Sequence, residues 1–337
     1  MTADSPASTD LRADARNAFA RNATGNPELQ LERASMDAGF RSYWRADDRG
    51  TSIIVMDSPP DKEDVKPWLI IRDQLDNAGV RVPQVRARDI EGGFLLLEDL
   101  GTQTMLQAID SLDVDTWFER AIDQLLKIQA MPVPAGLPSY DEELLSRELR
   151  LFDEWYLGRH LGLSPDCGTM ESLDLVYRRL MDQILQQPRS VVHRDFMPRN
   201  LMPAGDELAV LDFQDAVHGP IAYDPLSLFK DAFISWPEQF SESHWQRYHQ
   251  RALAAGLPIR ADYNEFRKDL DYIGIQRHLK VMGIFARLCH RDGKPKYLTD
   301  APRFVAYLDQ AVPKYPELEP LQQVLDRLVK PSLAASV

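Results

Sequence analysis

Val191-Val192-His193-Arg194-Asp195-Phe196-Met197-Pro198-Arg199-Asn200, followed by Leu211-Asp212-Phe213, is the stretch of sequence that decides the fold. It places an Asp and an Asn in the spacing H-x-D-x-x-x-x-N, with a second Asp further along the chain. Carboxylates and carboxamides are the hard oxygen ligands that Mg²⁺ prefers. Asn200 and Asp212 can hold such a metal, while Asp195 can take the proton of an acceptor hydroxyl. The pattern therefore predicts metal-assisted phosphoryl transfer.

The residues around this stretch predict a strand hairpin. Val191-Val192 and Leu208-Ala209-Val210-Leu211 are short apolar runs, which are typical of buried strands. Gly205-Asp206 is a hairpin-turn signal just before the second run. We therefore expect the hairpin to bring Asp212 back beside Asn200. His193, next to the catalytic Asp, is expected to have a scaffolding role.

Composition narrows the class of protein. The chain has 337 residues and a formal net charge of −13, which argues against nucleic acid or an anionic membrane as the main partner. Its two cysteines, Cys167 and Cys289, suggest neither a disulfide framework nor a zinc site. The N-terminus lacks the regions of a signal peptide, and no apolar run approaches the ~18 residues that span a bilayer. We expect a soluble cytoplasmic protein.

Residue patterns along the chain predict an α+β protein with two lobes, as in protein kinases. A small strand-rich, nucleotide-binding lobe is expected over residues 1–100, with strands at 52–56 and 93–97. A large helical lobe that carries catalysis and substrate binding is expected over residues 101–337. Helices are predicted over residues 10–20, 64–78, 114–130, from a Ser139/Glu142 capping box through Tyr156, and over 172–187, 243–256, 262–290 and 318–329.

The segments after the catalytic stretch resemble the aminoglycoside-phosphotransferase and choline-kinase superfamily more than protein kinases. They read Asp212-Phe213-Gln214-Asp215-Ala216, then Gly219-Pro220 and Tyr223-Asp224-Pro225-Leu226. The resemblance extends over most of the chain. It implies ATP and Mg²⁺ as cofactors, a small-molecule substrate, and a structural role for Asp224 in bracing the catalytic loop.

Within that superfamily, four segments resemble the anomeric kinases of N-acetylmuramate and N-acetylglucosamine. They are Glu154–His160, Asp212–Asp224, Gln276–Lys280 and Phe285–Lys294. The resemblance implies ATP-dependent transfer to the C1 hydroxyl, giving a sugar 1-phosphate in cell-wall recycling. The implied substrate-binding residues are Gln214, Asp215, Arg159, His160, Arg277, Lys280 and Trp155. These positions also fit ordinary structural roles, because Arg and Lys on helices are mostly solvated and a Trp is commonly part of a core.

The residues predicted to bind the nucleotide depart from the kinase pattern. The junction of the lobes, at Glu98 and Leu100, is expected to bind adenine. The strand Lys that grips phosphates in kinases is replaced at its expected place by Asp57, and its helix Glu is missing near Trp68. The phosphate loop, residues 37–43, offers a single Gly. The groups that could substitute for the Lys are Arg41, Ser42, Arg45 and Lys62, of which Arg41 and Ser42 are the predicted cofactor contacts.

Two alternatives remain open at the level of sequence. An aminoglycoside or choline-type kinase would have the same chemistry, but a cationic acceptor calls for a pocket rich in acids or aromatic rings. The basic residues near 155–160 and 276–291 argue mildly against it. A non-catalytic, kinase-like scaffold is supported by the absent Lys alone. It predicts no acceptor-dependent ATP turnover and no need for Asp195.

Overall fold

A computed structural model describes residues 12–36 and 40–334 of the chain. The chain divides into two compact units. The first consists of Met1–Gln103 with Met202–Gln214, and the second of Thr104–Leu201 with Asp215–Val337. The predicted assignment of nucleotide binding to residues 1–100 and of catalysis to 101–337 stays a prediction.

The first unit is built on a five-stranded antiparallel sheet with the order β1-β2-β3-β5-β4. Its strands are β1 (Glu32–Met36), β2 (Ser42–Asp48), β3 (Thr51–Asp57), β4 (Val85–Asp89) and β5 (Phe94–Glu98), and its helices are α1 (Ala13–Thr24) and α2 (Lys66–Asn77). Ile53 and Val55 of β3 pack with Ala20 of α1 in one core cluster. The strands and the α2 helix predicted from sequence are confirmed within one to two residues. Residues 10 and 11 of the first predicted helix lie outside the described ranges.

The predicted hairpin is confirmed in its turn at Gly205-Asp206 and in its second strand, but its first strand is residues 201–204, because Val191-Val192 pairs with β9 (Val217–Pro220) instead. Strands β7 (Leu201–Ala204) and β8 (Glu207–Val210) form a two-stranded sheet. Gly205 occupies the turn with a φ of 64°, which a glycine adopts without steric cost. The Val210 N–H donates to the Arg81 carbonyl at 2.8 Å, so β8 is attached to the rest of the first unit.

The second unit is mainly helical. Its α-helices are α3 (Met105–Ala108), α4 (Val114–Ala130), α5 (Glu142–Leu151), α6 (Cys167–Leu185), α7 (Tyr223–Phe229), α8 (Glu238–Ala254), α9 (Tyr263–His290), α10 (Ala301–Ala311), α11 (Glu319–Val324) and α12 (Lys330–Ala334). Its sheet is the antiparallel pair β6 (Arg189–Val192) and β9 (Val217–Pro220). The long helix α9 packs against α5, α6, α7 and α10. Among residues 12–36 and 40–334, no helix has the length and apolar character needed to cross a membrane.

Four helix boundaries differ from the prediction by several residues. Helix α1 continues to Thr24, and α8 begins at Glu238, five residues earlier than predicted. The starts of α5 and α6 differ because an Asp caps each helix. The N-cap of α5 is Asp141, whose carboxylate accepts from the Leu144 N–H, and Ser139 instead accepts from Arg189. The predicted capping box is therefore wrong. Helix α6 begins at Cys167, earlier than predicted, because the Asp166 side chain caps it.

A nine-residue π-helix, Phe152–His160, follows α5 directly. It packs against α9, and Gly283 of α9 makes the approach possible. A Cβ atom at residue 283 would lie 2.4 Å from the Leu151 backbone carbon and oxygen. The close packing of α9 at this point thus requires a glycine at residue 283.

Candidate active site

The catalytic loop leaves β6 from a buried position in the second unit. Val191 and Val192 are buried, and β6 pairs with β9 so that Val192 lies opposite Val217. His193 is 1% exposed, and its ring contacts Phe196 edge to face. Its Nδ1 accepts from the Asp195 N–H at 3.3 Å. These contacts agree with the scaffolding role predicted for His193.

Asp224 braces this loop, as the family resemblance implied. Its two carboxylate oxygens accept from the N–H groups of His193 and Arg194, at 2.7 and 2.9 Å. Asp224 is fully buried, and burial raises its pKa to about 6, although the charge of His193 and these N–H groups oppose the rise. The carboxylate therefore fixes two consecutive peptide groups immediately before Asp195.

Two non-glycine residues of the predicted motifs have a left-handed backbone. Arg194 has a φ of 75° and Asp212 a φ of 62°. Asp adopts this region more readily than most residues, whereas Arg at positive φ is uncommon. Backbone strain of this kind is found at functional sites, where the surroundings hold it in place. At Arg194, the Asp224 carboxylate is part of those surroundings.

Asp195 and Asn200 are linked through the backbone of the loop. The Asp195 side chain is 42% exposed, so it is open to a solute. Asn200 Nδ2 donates to the Asp195 carbonyl at 2.9 Å, which directs the amide oxygen the other way. Asn200 is also the last residue of a single 3₁₀ turn, and its N–H donates to the Met197 carbonyl. An exposed carboxylate and an oriented amide oxygen are suited to the roles predicted for them.

Glu148 of α5 is a buried carboxylate that pairs with two cations close to the catalytic loop. It lies 2.6 Å from an Arg194 nitrogen and 2.8 Å from Lys280 Nζ, and it accepts from Gln276 at 3.0 Å and from the Tyr140 hydroxyl. Burial alone would raise the pKa of Glu148, but the charges of Lys280 and Arg194 outweigh burial and lower it to about 2. Glu148 is therefore ionised and links α5, α9 and the loop.

Arg277 continues this network to the catalytic carboxylate. Its guanidinium is buried and donates to the Arg194 carbonyl at 3.3 Å and to the Tyr223 hydroxyl at 3.1 Å. It also lies 3.8 Å from Asp195 Oδ1. Lys280 donates to the same Tyr223 hydroxyl at 3.1 Å. Arg277 and Lys280, predicted to bind substrate, are thus buried and engaged by protein groups, which fits positioning of the loop better than direct contact with a solute.

The other predicted substrate residues of the helical unit lie on the π-helix Phe152–His160. Arg159 is exposed, and Trp155 is half-buried, so it is not a core residue. His160 lies 3.3 Å from His290, ring nitrogen to ring nitrogen, and burial and this neighbour lower its pKa. Within the described part of the chain, none of the hydrogen bonds or ion pairs of these three residues reaches the catalytic loop.

Asp212 follows β8 in the first unit. Its side chain is 38% exposed. One carboxylate oxygen accepts from Gln214 Nε2 at 2.8 Å and lies 4.0 Å from a terminal nitrogen of Arg41. Gln214 is thus beside the predicted metal ligand, in agreement with its predicted place. Asp215 belongs to the second unit, where its side chain is exposed and its carbonyl accepts from Arg194 at 3.4 Å.

Asp57, at the end of β3, faces the N-terminal helix. Residues of a strand alternate between the two faces of a sheet, so Asp57 shares its face with Ile53 and Val55, which pack against α1. Its carboxylate accepts from Arg12 at 2.7 Å and from Arg16 at 2.9 Å. The absence of a Lys at this place on the strand stays as predicted from the sequence, and the period of the strand turns Asp57 toward the N-terminal helix.

The predicted nucleotide contacts have the following surroundings. Glu98 ends β5, with its carboxylate paired with Arg81 at 2.5 Å and its N–H donating to the Gln84 carbonyl. The Glu98 carbonyl is therefore the group of this residue that could contact adenine. Leu100 is half-buried, and the Ser42 hydroxyl accepts from Trp44 at 2.9 Å. Residues 37–39 of the predicted phosphate loop lie outside the described residues.

Each unit, taken by itself, presents an oxygen donor of a kind that Mg²⁺ binds. In the first unit it is the partly exposed carboxylate of Asp212, and in the second it is the oriented amide oxygen of Asn200. Mg²⁺ takes one or two protein oxygens of this kind and completes its shell with phosphates and water. Bound metal would neutralise the charge of the phosphates during transfer.

Sequence reasoning missed two acidic residues, Glu63 and Glu148, that organise these surroundings. Glu148 lies on the same helical face as Leu145 and Leu149, so a charged residue within an apolar stripe was an available signal. Glu63 precedes α2, and its carboxylate lies 3.1 Å from Arg41 Nε. Nothing in the local sequence at residue 63 indicates that partner.

Comparison with known proteins identifies the family. Residues 30–263 match the model of the phosphotransferase enzyme family. The chain belongs to this family. A relative from Pseudomonas putida, an N-acetylmuramate/N-acetylglucosamine kinase, is 50% identical over 311 residues, which are 92% of each chain. As a phosphotransferase, the chain is an enzyme that acts on an alcohol group, and the scaffold alternative is excluded.

Solved phosphotransferase structures confirm the predicted two-lobed, kinase-like fold class. A choline/ethanolamine kinase family protein from Mesorhizobium loti aligns with a TM-score of 0.62 at 15% identity, covering 92% of this chain and 97% of that one. An aminoglycoside phosphotransferase, APH(2'')-Ib, solved with ADP bound, aligns with a TM-score of 0.58 at 14% identity, covering 87% and 97%. At such low identity these neighbours establish the fold alone.

Proposed function

We propose that this phosphotransferase is an ATP-dependent kinase of N-acetylmuramate and N-acetylglucosamine that phosphorylates their anomeric C1 hydroxyl. The observation that carries the proposal is the 50% identity, over 92% of both chains, to a kinase named for these two sugars. The C1 position is supported by chemistry. A hemiacetal hydroxyl is more acidic than an ordinary alcohol, so a single carboxylate base is sufficient for it.

In this proposal Asp195 is the base. It orients the C1 hydroxyl and accepts its proton as the sugar oxygen forms a bond to the γ-phosphorus of ATP, while the bond from that phosphorus to the bridging oxygen breaks and ADP leaves. Support comes from the 42% exposure of its side chain and from the Asp224 bridge that fixes the preceding peptides. Asn200 and Asp212 provide the protein oxygens for Mg²⁺, and Glu98 and Leu100 provide backbone contacts to adenine.

Gln214 and Asp215 follow the metal ligand in sequence and are proposed to contact the sugar. Trp155, Arg159 and His160 are proposed as the more distant contacts, since each has a half-buried or exposed side chain. A guanidinium such as that of Arg159 suits the lactyl carboxylate of N-acetylmuramate. Because Arg277 and Lys280 are buried, we assign them to positioning the loop.

The remaining partners follow from the same reasoning. The net charge of −13 supports a small-molecule partner over nucleic acid. A cytoplasmic location is proposed because the reaction consumes ATP. The product would be a sugar 1-phosphate.

The proposal is tested by measuring ADP release with ATP and Mg²⁺ against N-acetylmuramate, N-acetylglucosamine, choline and kanamycin. We expect turnover with the two sugars, and loss of about 10³-fold or more in Asp195→Asn, since the base is removed. Asp174→Asn is the matched control. Its side chain is 41% exposed in the same unit and pairs with Arg150 on the surface, so turnover should be unchanged.

A blocked acceptor separates C1 from the other hydroxyls. The methyl glycoside of N-acetylglucosamine lacks a free C1 hydroxyl and should not be phosphorylated. Turnover with this glycoside would contradict the assigned position. Turnover with choline or kanamycin, and none with either sugar, would contradict the substrate while leaving the phosphotransferase chemistry in place.

A further inference from the structure

The first unit contains a cation that could serve as the missing strand Lys. On β3, Asp57 is committed to α1, and its neighbours on the opposite face, Ile54 and Met56, are apolar. Neither face of that strand end therefore offers a cation. A nucleotide triphosphate nevertheless requires positive charge beside its phosphates in addition to metal.

Three of the four candidate substitutes are less suited than Arg41 to binding a phosphate. Arg45 forms a two-pronged pair with Asp99, at 2.6 and 3.0 Å, and donates to the Gly101 carbonyl. Its pKa is raised mainly by the hydrogen bond to Asp99. Lys62 is 54% exposed, with Asp61 as its nearest partner at 3.5 Å. Ser42 carries no charge.

Arg41 differs from these in burial and in position. Its side chain is only 6% exposed, its Nε lies 3.1 Å from Glu63 and a terminal nitrogen lies 4.0 Å from Asp212. Arg41 immediately precedes β2, next to the predicted phosphate loop. A phosphate that shares a metal with Asp212 is bound close to that carboxylate, and Arg41 is the buried cation beside it.

We propose that Arg41 binds the phosphates of the nucleotide and that Glu63 positions it, so that the kinase Lys–Glu pair is replaced by an Arg–Glu pair on different elements. The cation has moved from β3 to the residue before β2, and the carboxylate from within the helix to the segment before α2. A planar guanidinium can meet a carboxylate at one edge and a phosphate at another. The inference rests on the proposed ATP-dependent function, and it concerns how that nucleotide is held.

The decisive experiment measures equilibrium binding of Mg²⁺·ATP and of adenosine, independently of turnover. Arg41→Ala should weaken Mg²⁺·ATP by about 10- to 100-fold, the loss expected for a charge-assisted hydrogen bond, and leave adenosine within about twofold. Lys66→Ala, which removes an exposed cation three residues after Glu63, is the matched control and should leave both affinities unchanged. Arg41→Lys should restore part of the lost affinity.

Glu63→Gln tests the positioning role. It should weaken Mg²⁺·ATP by a smaller factor, about 3- to 10-fold. Combined with Arg41→Ala, it should add nothing further, because its effect passes through Arg41.

Two results would overturn the inference. One is a folded Arg41→Ala whose Mg²⁺·ATP affinity equals that of the wild type. The other, if Arg41→Ala fails to fold, is wild-type affinity in both Arg41→Lys and Glu63→Gln. Arg41-dependent binding of ATP by a wild type that turns over neither sugar would support the inference and contradict the proposed function.

Discussion

The catalytic loop of the second unit and the Arg41 site of the first both place cations beside carboxylates, but they differ in burial. Glu148 is 6% exposed and meets two cations, whereas Glu63 is 29% exposed and meets one. A buried carboxylate with two cations is satisfied by the protein itself and fixes geometry. The more open carboxylate leaves its cation close to Asp212, where a ligand is expected. One charge cluster serves structure, and the other serves binding.

The same substitution in the two clusters should have different effects on stability. Glu148→Gln leaves Lys280 and Arg194 without their buried counter-charge, so we expect the free energy of unfolding to fall by about 3–5 kcal/mol. Glu63→Gln should lower it by less than about 1 kcal/mol, as for partly exposed pairs. Denaturant titration measures both, with Glu143→Gln on the exposed face of α5 as the control. Equal losses in the free energy of unfolding for Glu148→Gln and Glu63→Gln would contradict this difference between the two clusters.

Arg277 sharpens the comparison through kinetics. Arg277→Met removes the cation 3.8 Å from Asp195 and its bonds to Arg194 and Tyr223. We expect kcat to fall by about 10²-fold through misplacement of the loop, with the affinity for Mg²⁺·ATP unchanged. This is the opposite of the pattern expected for Arg41→Ala. Steady-state kinetics measure kcat, and nucleotide titration measures the affinity for Mg²⁺·ATP. A loss of ATP affinity in Arg277→Met would contradict the separate roles of Arg277 in positioning the loop and Arg41 in binding the nucleotide.

Within the second unit, Asp231 provides a contrast with Glu148 that depends on pH. Its Oδ1 accepts from the Phe233 and Ile234 N–H groups, and burial raises its pKa to about 6. Because this value lies above that of the unfolded chain, about 3.9, the protonated form favours folding. That contribution is complete below about pH 4 and is lost as pH rises through about 6.

Asp231→Asn keeps the accepting oxygen and removes the titrating proton. We therefore expect it to stabilise the protein by about 1–3 kcal/mol at pH 8 and to change little at pH 4. Unfolding measured at the two pH values tests this. A variant that is destabilised at pH 8, or whose effect is the same at both pH values, would show that the charged form of Asp231 is favoured in the folded protein.

The second unit was predictable from sequence where its signals are local. The spacing from His193 to Asn200 and the stripe of α4 each concern neighbours along the chain. The resemblance also implied the role of Asp224 correctly. Glu148 was missed because its meaning depends on Lys280 and Arg194, which are distant in sequence.

The first unit was harder to predict because its charge pairs join different elements. Arg41, Glu63 and Asp212 come together only in the folded unit, so Arg41 could be named with Ser42 as a predicted cofactor contact, but its partners could not be. The arginine partners of Asp57 were not predicted, although the alternation of Ile53, Val55 and Asp57 along β3 already indicated its face. An ion pair that lies on different elements can keep the same chemistry. Its residues no longer have the sequence spacing by which the kinase motif is recognised.

The most direct test of the account is the position of the phosphate on the sugar after the enzyme acts on N-acetylmuramate with ATP and Mg²⁺. Proton–phosphorus NMR of the product should show coupling between phosphorus and the anomeric proton, with no such product from Asp195→Asn. A phosphate coupled to any other ring or side-chain proton, or ADP release that does not depend on the sugar, would contradict the account.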